Sequence, residues 1–247
     1  MLLLDCGNTR IKWCLAENNK IIRSGEELLS ALDPALLAAE LGGMSFNRVL
    51  VASVRVSEVL DSLLDALQRM VDVKIYAISH DDMSGQQFAY DEVKRLGVDR
   101  CLVISAVRDL YQGACMVIDS GSALTADLID GDGRHIGGYI FPGCKMLQDS
   151  LVAGTSKIVL DDDVQCGLSP GRNTEQCVVN GVHIMVSQTI SYLESQCQGY
   201  GINKVILTGG DAKYIAGFIV GAYELRPVLV FEGMAGLFGS RLEGELN

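Results

Sequence analysis

At 247 residues, the chain is long enough for one large domain or for two of ordinary size. Hydrophobic residues make up 49% of it, which supplies a core and argues against disorder. The net charge of −11 argues against nucleic acid or an anionic membrane as a partner, because phosphate backbones are held by an excess of lysine and arginine. The negative charge is compatible with nucleotide binding, since a nucleotide needs only local backbone N–H groups, a cation and one or two basic side chains.

The sequence predicts neither secretion nor a membrane span. No stretch approaches the roughly 20 apolar residues of a spanning helix. No basic region precedes Asp5, so we do not expect a signal peptide. The eight cysteines include no C-x-x-C pair, and we expect several of them, such as Cys14 and Cys115, to be small core residues of a protein in a reducing cytoplasm.

The first half of the chain alternates predicted strands and helices, which is typical of an α/β fold. An apolar run at Leu2–Leu4 begins a strand, and alternating apolar residues up to Leu15 indicate a return strand. A helix over Glu26–Leu41 is expected next. The elements that follow are a buried strand, a helix with apolar residues at helical spacing and a further strand, over Arg48–Ser53, Ser57–Val71 and Lys74–Ile78 respectively.

The second half repeats this alternation. The pattern predicts a helix over Arg100–Gln112, a strand from Cys115 to Ile118 and a return strand over Thr125–Ile129. The remaining predicted elements are a helix over Cys144–Ala153, a long helix capped by Asn173 or Thr174 that ends near Cys197, and a strand over Lys204–Leu207. We place a domain boundary near Gly113, which gives domains 1–113 and 114–247.

One short pattern occurs in both halves. Leu2–Leu4 precedes Asp5-x-Gly7, and Met116–Ile118 precedes Asp119-x-Gly121, each followed by small polar residues and a second apolar stretch. A buried strand, a tight turn that faces phosphate and a returning strand would have this pattern. Two such hairpins indicate a duplicated domain that closes on a nucleotide, although two unrelated β-turns would read similarly.

Other nucleotide and hydrolase motifs are missing. No Gly-Lys dipeptide occurs, which excludes a P-loop, and no G-x-G-x-x-G follows a strand. A G-x-S-x-G nucleophile elbow is also absent, and the three histidines are scattered. These absences leave the paired hairpins as the main indication of function.

Two further segments carry candidate chemistry. Thr208-Gly209-Gly210-Asp211 would let a flat ring or a ribose approach the backbone, although a strand-to-helix turn also favours glycine. Asp99 and Arg100, behind Gly97, supply the carboxylate and the cation that phosphoryl transfer to an alcohol requires. A helix-capping Asp beside a solvated Arg is the other reading of this segment.

Taken together, these motifs resemble type III pantothenate kinase, a bacterial enzyme of coenzyme A biosynthesis in the sugar kinase, heat-shock ATPase and actin superfamily. The resemblance covers nearly the whole chain. It rests on Asp5-x-Gly7-Asn8-Thr9 with Lys12, Gly97-x-Asp99-Arg100, Asp119-x-Gly121-Ser122-Ala123-x-Thr125 with Asp127, Gly137-Gly138-Tyr139-Ile140-x-Pro142-Gly143, Thr174 with Gly181, and Thr208-Gly209-Gly210-Asp211.

The resemblance implies an α/β fold of duplicated ribonuclease H-like domains with the nucleotide in the interdomain cleft. It implies ATP-dependent phosphorylation of pantothenate by a homodimer, with Asp99 as the catalytic base. The expected ATP-binding residues are Asp5, Cys6, Gly7, Asn8, Thr9, Arg10, Ile11, Lys12, Ser122, Gly209 and Gly210. The expected pantothenate-binding residues are Tyr90, Gly97, Val98, Asp99, Arg100 and Thr174.

The resemblance also implies two cations. Asp5 would lie near the Mg²⁺ that accompanies ATP, and Asp119 would ligate K⁺ or NH₄⁺. The chain departs from the family pattern at Cys101, where the family often has Trp, and at Ser122, where it usually has Thr. Tyr90 is placed only by its offset from Asp99. A kinase for another small alcohol, or a non-catalytic regulator that retains the fold, is the competing interpretation.

Overall fold

The structure, a computed structural model, describes residues 1–17, 20–155, 158, 160 and 166–244, with the backbone alone for 239–244. It divides into two compact units. Unit 1 comprises Met1–Tyr111 and Val228–Asn247, and unit 2 comprises Gln112–Pro227.

Unit 1 is built on a five-stranded sheet in the order β3-β2-β1-β4-β5. Its strands are β1 (Leu2–Cys6), β2 (Arg10–Glu17), β3 (Lys20–Leu28), β4 (Arg48–Ser53) and β5 (Lys74–Ala77). Strands β1, β2 and β3 form an antiparallel meander, whereas β4 runs parallel to both β1 and β5. The fully buried side chains of Leu2, Leu3 and Leu4 place β1 at the centre of the sheet.

Strand β3 contradicts the helix that the sequence predicts over Glu26–Leu41. Residues 26–28 end β3, and a helix, α1 (Pro34–Gly42), begins only after them. The Asp33 side chain accepts hydrogen bonds from the backbone N–H groups of Ala35 and Leu36, and Pro34 is the first helical residue. Because β3 is exposed along most of its length, it lacks the apolar alternation that marks a strand.

Further α-helices follow in the described residues of unit 1. They are α2 (Glu58–Met70), α3 (Val98–Leu110) and α7 (Leu229–Gly244). Ser57 caps α2 by accepting a hydrogen bond from the N–H of Leu60. Helix α3 is buried from Arg100 to Val107, and α7 packs against it.

Unit 2 has the same sheet topology as unit 1. Its five strands are in the order β10-β9-β6-β7-β8. They are β6 (Cys115–Ser120), β7 (Ala123–Ile129), β8 (His135–Pro142), β9 (Val205–Thr208) and β10 (Tyr223–Leu225). Strands β6, β7 and β8 form the meander, and β9 is parallel to β6 and β10. This repetition confirms the duplicated α/β domains that the paired motifs predict.

The α-helices in the described residues of unit 2 are α4 (Cys144–Gly154), α5 (Thr174–Gly199) and α6 (Ala212–Ala216). Asn173 is the residue that caps α5, because its side-chain oxygen accepts the N–H of Gln176 at 2.8 Å. Inside the unit, His135 Nε2 lies 2.9 Å from Asp127 Oδ1, with both side chains buried. That pairing satisfies two polar groups that would otherwise be costly to bury.

The chain passes between the units at Tyr111 and Gln112, two residues before the expected boundary near Gly113. Residues 228–247, which the prediction assigns to the second domain, belong to unit 1.

All eight cysteines are free thiols. Among the described residues, no helix is long and apolar enough to cross a membrane.

Candidate active site

The turn between β1 and β2, in unit 1, is the first of the two expected phosphate hairpins. Asp5 lies opposite Lys12 across the antiparallel pair, and the N–H of Gly7 donates to the carbonyl of Arg10 at 3.0 Å. This bond closes a tight turn whose tip, Asn8 and Thr9, is exposed. The turn therefore presents backbone and side-chain donors to solvent beside a half-buried carboxylate.

Not every residue of the expected ATP-binding segment can offer its side chain to a ligand. The side chains of Cys6 and Ile11 are wholly buried in the core of unit 1, so only their backbone atoms could contact phosphate. Arg10 donates from Nη1 to Glu26 Oε1 on β3 at 2.9 Å, which directs its guanidinium toward a carboxylate. Burial raises the pKa of the Cys6 thiol, which keeps it protonated and unreactive.

The start of α3 carries the proposed base. Gly97 is the N-cap residue, and Asp99 lies in the first turn, where its Oδ1 accepts the N–H of Arg100 at 2.8 Å. A Cβ atom at Gly97 would collide with Asp99 Oδ1, so the glycine permits this carboxylate position. A carboxylate is favoured at a helix N-terminus by the aligned peptide dipoles.

Arg100 and Tyr90, both expected at the pantothenate site, are in contact with each other. Arg100 is 6% exposed, and its Nη1 donates to the Tyr90 hydroxyl at 3.0 Å. Its guanidinium carbon also lies 5.6 Å from the centroid of the Tyr90 ring, within range of a cation–π interaction. This contact joins the loop that precedes α3 to the helix itself.

Two further contacts that the motifs do not reveal hold this loop, one with α3 and one between the two ends of the loop itself. Arg108 donates from Nη1 to Gln86 Oε1 at 3.2 Å, and its guanidinium carbon lies 5.2 Å from the centroid of the Phe88 ring. Near the other end of the loop, His80 donates from Nε2 to the carbonyl of Leu96 at 2.7 Å. We call residues 79–97 the acceptor loop.

The second phosphate hairpin lies in unit 2, between β6 and β7. Asp119 is opposite Thr125, and the N–H of Gly121 donates to the carbonyl of Ala123 at 2.9 Å. The N–H of Gly143, at the start of α4, donates to the carbonyl of Ser122 at 3.1 Å. A side chain at Gly143 would collide with the backbone of the hairpin, which explains this glycine.

The Thr208–Asp211 segment packs directly on that hairpin. Because β6 and β9 are parallel with Asp119 opposite Thr208, the segment leaves the sheet at the same edge as the hairpin. Gly209 has φ of 91°, and a Cβ atom there would collide with Asp119 Oδ1. The N–H of Asp211 donates to the carbonyl of Ser120 at 2.9 Å, and Gly210 is exposed.

The expected site residues therefore fall into two groups. Unit 1 holds Asp5–Lys12, Tyr90 and Gly97–Arg100, and unit 2 holds Asp119, Ser122, Gly209 and Gly210. Thr174, also in unit 2, is the exposed first residue of α5. In the part of the chain that the structure describes, no group of three His, Cys, Asp or Glu side chains is arranged to hold a metal ion.

The amino-acid sequence matches one protein family over most of its length. The family model described as type III pantothenate kinase matches residues 1–196. The type III pantothenate kinase of Pseudomonas fluorescens is 36% identical over 244 residues, which cover 95% of this chain and 97% of that protein. The enzyme of the same name from Azotobacter vinelandii is 34% identical, over 94% of this chain and 96% of the relative.

Solved structures show the same fold at much lower identity. The activator of the 2-hydroxyisocaproyl-CoA dehydratase from Clostridium difficile, with bound ADPNP, aligns with a TM-score of 0.53 at 12% identity, over 98% of this chain and 97% of that one. A conserved candidate transcriptional activator of the Baf family from Campylobacter jejuni aligns with a TM-score of 0.58 at 19% identity, over 98% and 100%. Both similarities support the fold alone. On the family match and the identity to its members, the chain belongs to the type III pantothenate kinase family.

Proposed function

We propose that this chain transfers the γ-phosphoryl group of ATP to the primary hydroxyl of pantothenate, the first step of coenzyme A biosynthesis. The observation that carries the proposal is that the family model spans residues 1–196, which include both phosphate hairpins and Asp99. The fold provides a carboxylate at a helix start and two phosphate-type turns, as a phosphotransferase requires.

In the proposed reaction, the oxygen of the pantothenate hydroxyl attacks the γ-phosphorus. The bond to the oxygen that bridges the β- and γ-phosphorus atoms breaks, and ADP leaves. The hydroxyl proton passes to the Asp99 carboxylate, which also orients the attacking oxygen. Most of the acceleration would come from positioning and from neutralisation of the phosphate charge.

The proposed ATP contacts come from the two hairpins and from the glycine segment. Asp5–Lys12 would bind phosphate, mainly through the backbone near Gly7, the donors of Asn8 and Thr9 and the Lys12 ammonium. Ser122 would donate its hydroxyl to phosphate, and Gly209 with Gly210 would face the nucleoside. Mg²⁺ would enter as part of the Mg–ATP substrate, with Asp5 as the nearest acidic side chain.

A monovalent cation, K⁺ or NH₄⁺, is proposed at Asp119. The donor set fits such an ion, because hard cations take oxygen ligands and the hairpin offers carboxylate and backbone carbonyl oxygens. The ion would add positive charge near the phosphates. Asp119 would hold it, and Gly209 would keep the space beside Asp119 Oδ1 clear.

The proposed pantothenate site consists of Tyr90 and Gly97–Arg100, with Thr174 as a further contact. The hydrogen bond between Arg100 and Tyr90 supports this assignment, because it holds the acceptor loop beside the base. Family members act as homodimers, and we propose the same for this chain. Exposed apolar side chains on the packed helices α4 and α5 support pairing through unit 2.

The substitution Asp99→Asn tests the assignment of the base. Because asparagine keeps the size of the side chain but cannot accept the proton, we expect kcat to fall about 10²- to 10⁴-fold. ATP binding should change little. The measurement is the formation of 4′-phosphopantothenate by mass spectrometry, with ATP binding followed in parallel. Unchanged turnover in the variant would remove Asp99 from the role of base.

A further inference from the structure

A segment that the family motifs do not include adjoins the first phosphate hairpin. Strands β1 and β4 are parallel neighbours with Cys6 opposite Ser53, so their carboxyl ends meet at one edge of the sheet. The N–H of Val54 donates to the carbonyl of Cys6 at 3.3 Å, which ties the residues after β4 to the base of the hairpin.

Arg55 extends from this segment to the tip of the hairpin. Its Nη1 donates to the carbonyl of Asn8 at 3.1 Å, and its Nε donates to the carbonyl of Val56 at 3.5 Å. The backbone of Arg55 is held in turn by Ser53, whose Oγ donates to the Arg55 carbonyl at 2.6 Å and accepts its N–H at 3.3 Å. The guanidinium is therefore positioned before any ligand binds.

No carboxylate of the described residues forms an ion pair with Arg55. Within the described part of the chain, Arg55 makes no ion pair and its Nη2 has no hydrogen-bond partner, whereas Arg10 and Arg23 are paired with Glu26 and Glu40. Side-chain exposure leaves the remaining N–H groups open to solvent. The chain has a net charge of −11, so acidic side chains outnumber basic ones. An arginine without an acidic partner is therefore less expected here than in a basic protein, and its place beside the hairpin indicates an anionic ligand.

We propose that Arg55 binds the triphosphate of ATP, donating from Nη2 and from the second hydrogen of Nη1 to phosphate oxygens. The planar guanidinium can make two parallel hydrogen bonds to phosphate, and its charge offsets the charge of the transferring group. The proposal rests on the proposed function for the identity of the nucleotide. It adds a cationic side chain from outside the two hairpins to the set that holds ATP.

The test compares Arg55→Gln and Arg55→Lys with Arg69→Gln, which removes an exposed arginine of the same unit whose partner, Asp65, is 3.8 Å away. Binding of ATP, ADP and adenosine is measured by ligand-observed NMR titration, with thermal unfolding as a check of folding. We expect Arg55→Gln to weaken ATP binding about ten- to hundredfold and ADP binding less. The affinity of Arg55→Gln for adenosine should equal that of the unmodified chain. Arg55→Lys should recover part of the lost ATP affinity, and Arg69→Gln should bind ATP as tightly as the unmodified chain does.

Turnover provides an independent measurement. The KM for ATP should rise in Arg55→Gln while the KM for pantothenate stays within about twofold. Equal ATP binding by Arg55→Gln and the unmodified chain would overturn the proposal. An equal loss for ATP and adenosine would also overturn it, since Arg55 would then only maintain the hairpin. If the unmodified chain binds ATP but does not phosphorylate pantothenate, the proposed function is wrong and the binding data still decide the role of Arg55.

Discussion

Ser120, which follows the proposed cation ligand Asp119, carries a buried hydroxyl group. The residue is 1% exposed, and its Oγ has no hydrogen bond to any part of the chain that the structure describes. Strand alternation places its side chain on the same face as Ile118, in the core of unit 2. An unpaired buried hydroxyl costs about 1–3 kcal/mol, so Ser120→Ala should leave the free energy of unfolding unchanged or raise it.

Urea denaturation of Ser120→Ala measures this effect, with Ser105→Ala as the matched control. Ser105 is equally buried, but its hydroxyl donates to Gln86 Oε1 at 2.6 Å and lies 2.7 Å from the Cys101 carbonyl. Removal of that hydroxyl should lower the free energy of unfolding by about 1–2 kcal/mol. A comparable loss in Ser120→Ala would mean that Ser120 has a partner after all.

At single positions, the sequence reveals the residues of local motifs and misses those that act across the sheet. The two Asp-x-Gly patterns indicate the hairpin turns because each turn is closed by bonds between near neighbours. Arg55 has no local signature, since its contact with Asn8 depends on the parallel pairing of β1 and β4. The burial of Cys6 and Ile11 likewise follows from how helices cover the sheet.

The acceptor loop is the element whose shape should control pantothenate binding. Arg108 contacts three consecutive loop residues, since its Nη2 donates to the carbonyl of Gln87 at 2.5 Å in addition to its contacts with Gln86 and Phe88. Tyr90 follows directly, and its N–H donates to the Phe88 carbonyl at 2.9 Å. Arg108→Gln should therefore raise the KM for pantothenate about fivefold to twentyfold, because the loop loses charge-assisted bonds.

Steady-state kinetics with each substrate varied separately check this prediction. The KM for ATP should stay nearly constant, and Arg108→Lys should give an intermediate KM for pantothenate because it keeps the charge without the planar fork. Arg134→Gln removes an exposed arginine in the turn before β8 and should change neither constant. Equal increases in both KM values would indicate a general loss of structure rather than an effect of the loop.

Among whole elements, buried strands and amphipathic helices are predicted well, and the exposed strand β3 is not. Helix α2 has an apolar stripe with a capping serine, and the observed bounds Glu58–Met70 agree with the prediction to within one residue at each end. The polar sequence of β3, with Glu26 and Glu27 at its end, resembles the start of a helix. Its strand conformation comes from pairing with β2, a tertiary contact.

On the scale of the molecule, the duplication is visible in the sequence but the position of the last helix is not. Both sheets have a meander followed by two parallel strands, and each repeated motif lies at the first hairpin of its meander. Helix α7 follows β10 in the chain, yet it packs on α3 and β1 of unit 1. Apolar periodicity shows that a helix is buried and does not identify what buries it.

The apolar surface of unit 2 predicts self-association. The side chains of Met146 and Leu151 on α4, and of Ile184, Met185 and Tyr192 on α5, are between 40% and 56% exposed. Light scattering should give about twice the chain mass of 26.6 kDa. Met185→Glu should shift the protein toward the monomer, whereas Leu36→Glu, at an apolar residue on α1 that is 70% exposed, should not. A monomeric mass for the unmodified chain would contradict the proposed homodimer.

A coupled assay of ADP release tests the central claim most directly. The protein is supplied with ATP and Mg²⁺, with or without pantothenate, in buffers that contain either K⁺ or Na⁺. We expect ADP release that depends on pantothenate and occurs with K⁺ but not with Na⁺. Equal rates in the two buffers would contradict the role of Asp119. The absence of pantothenate-dependent turnover with either cation would contradict the proposed function itself.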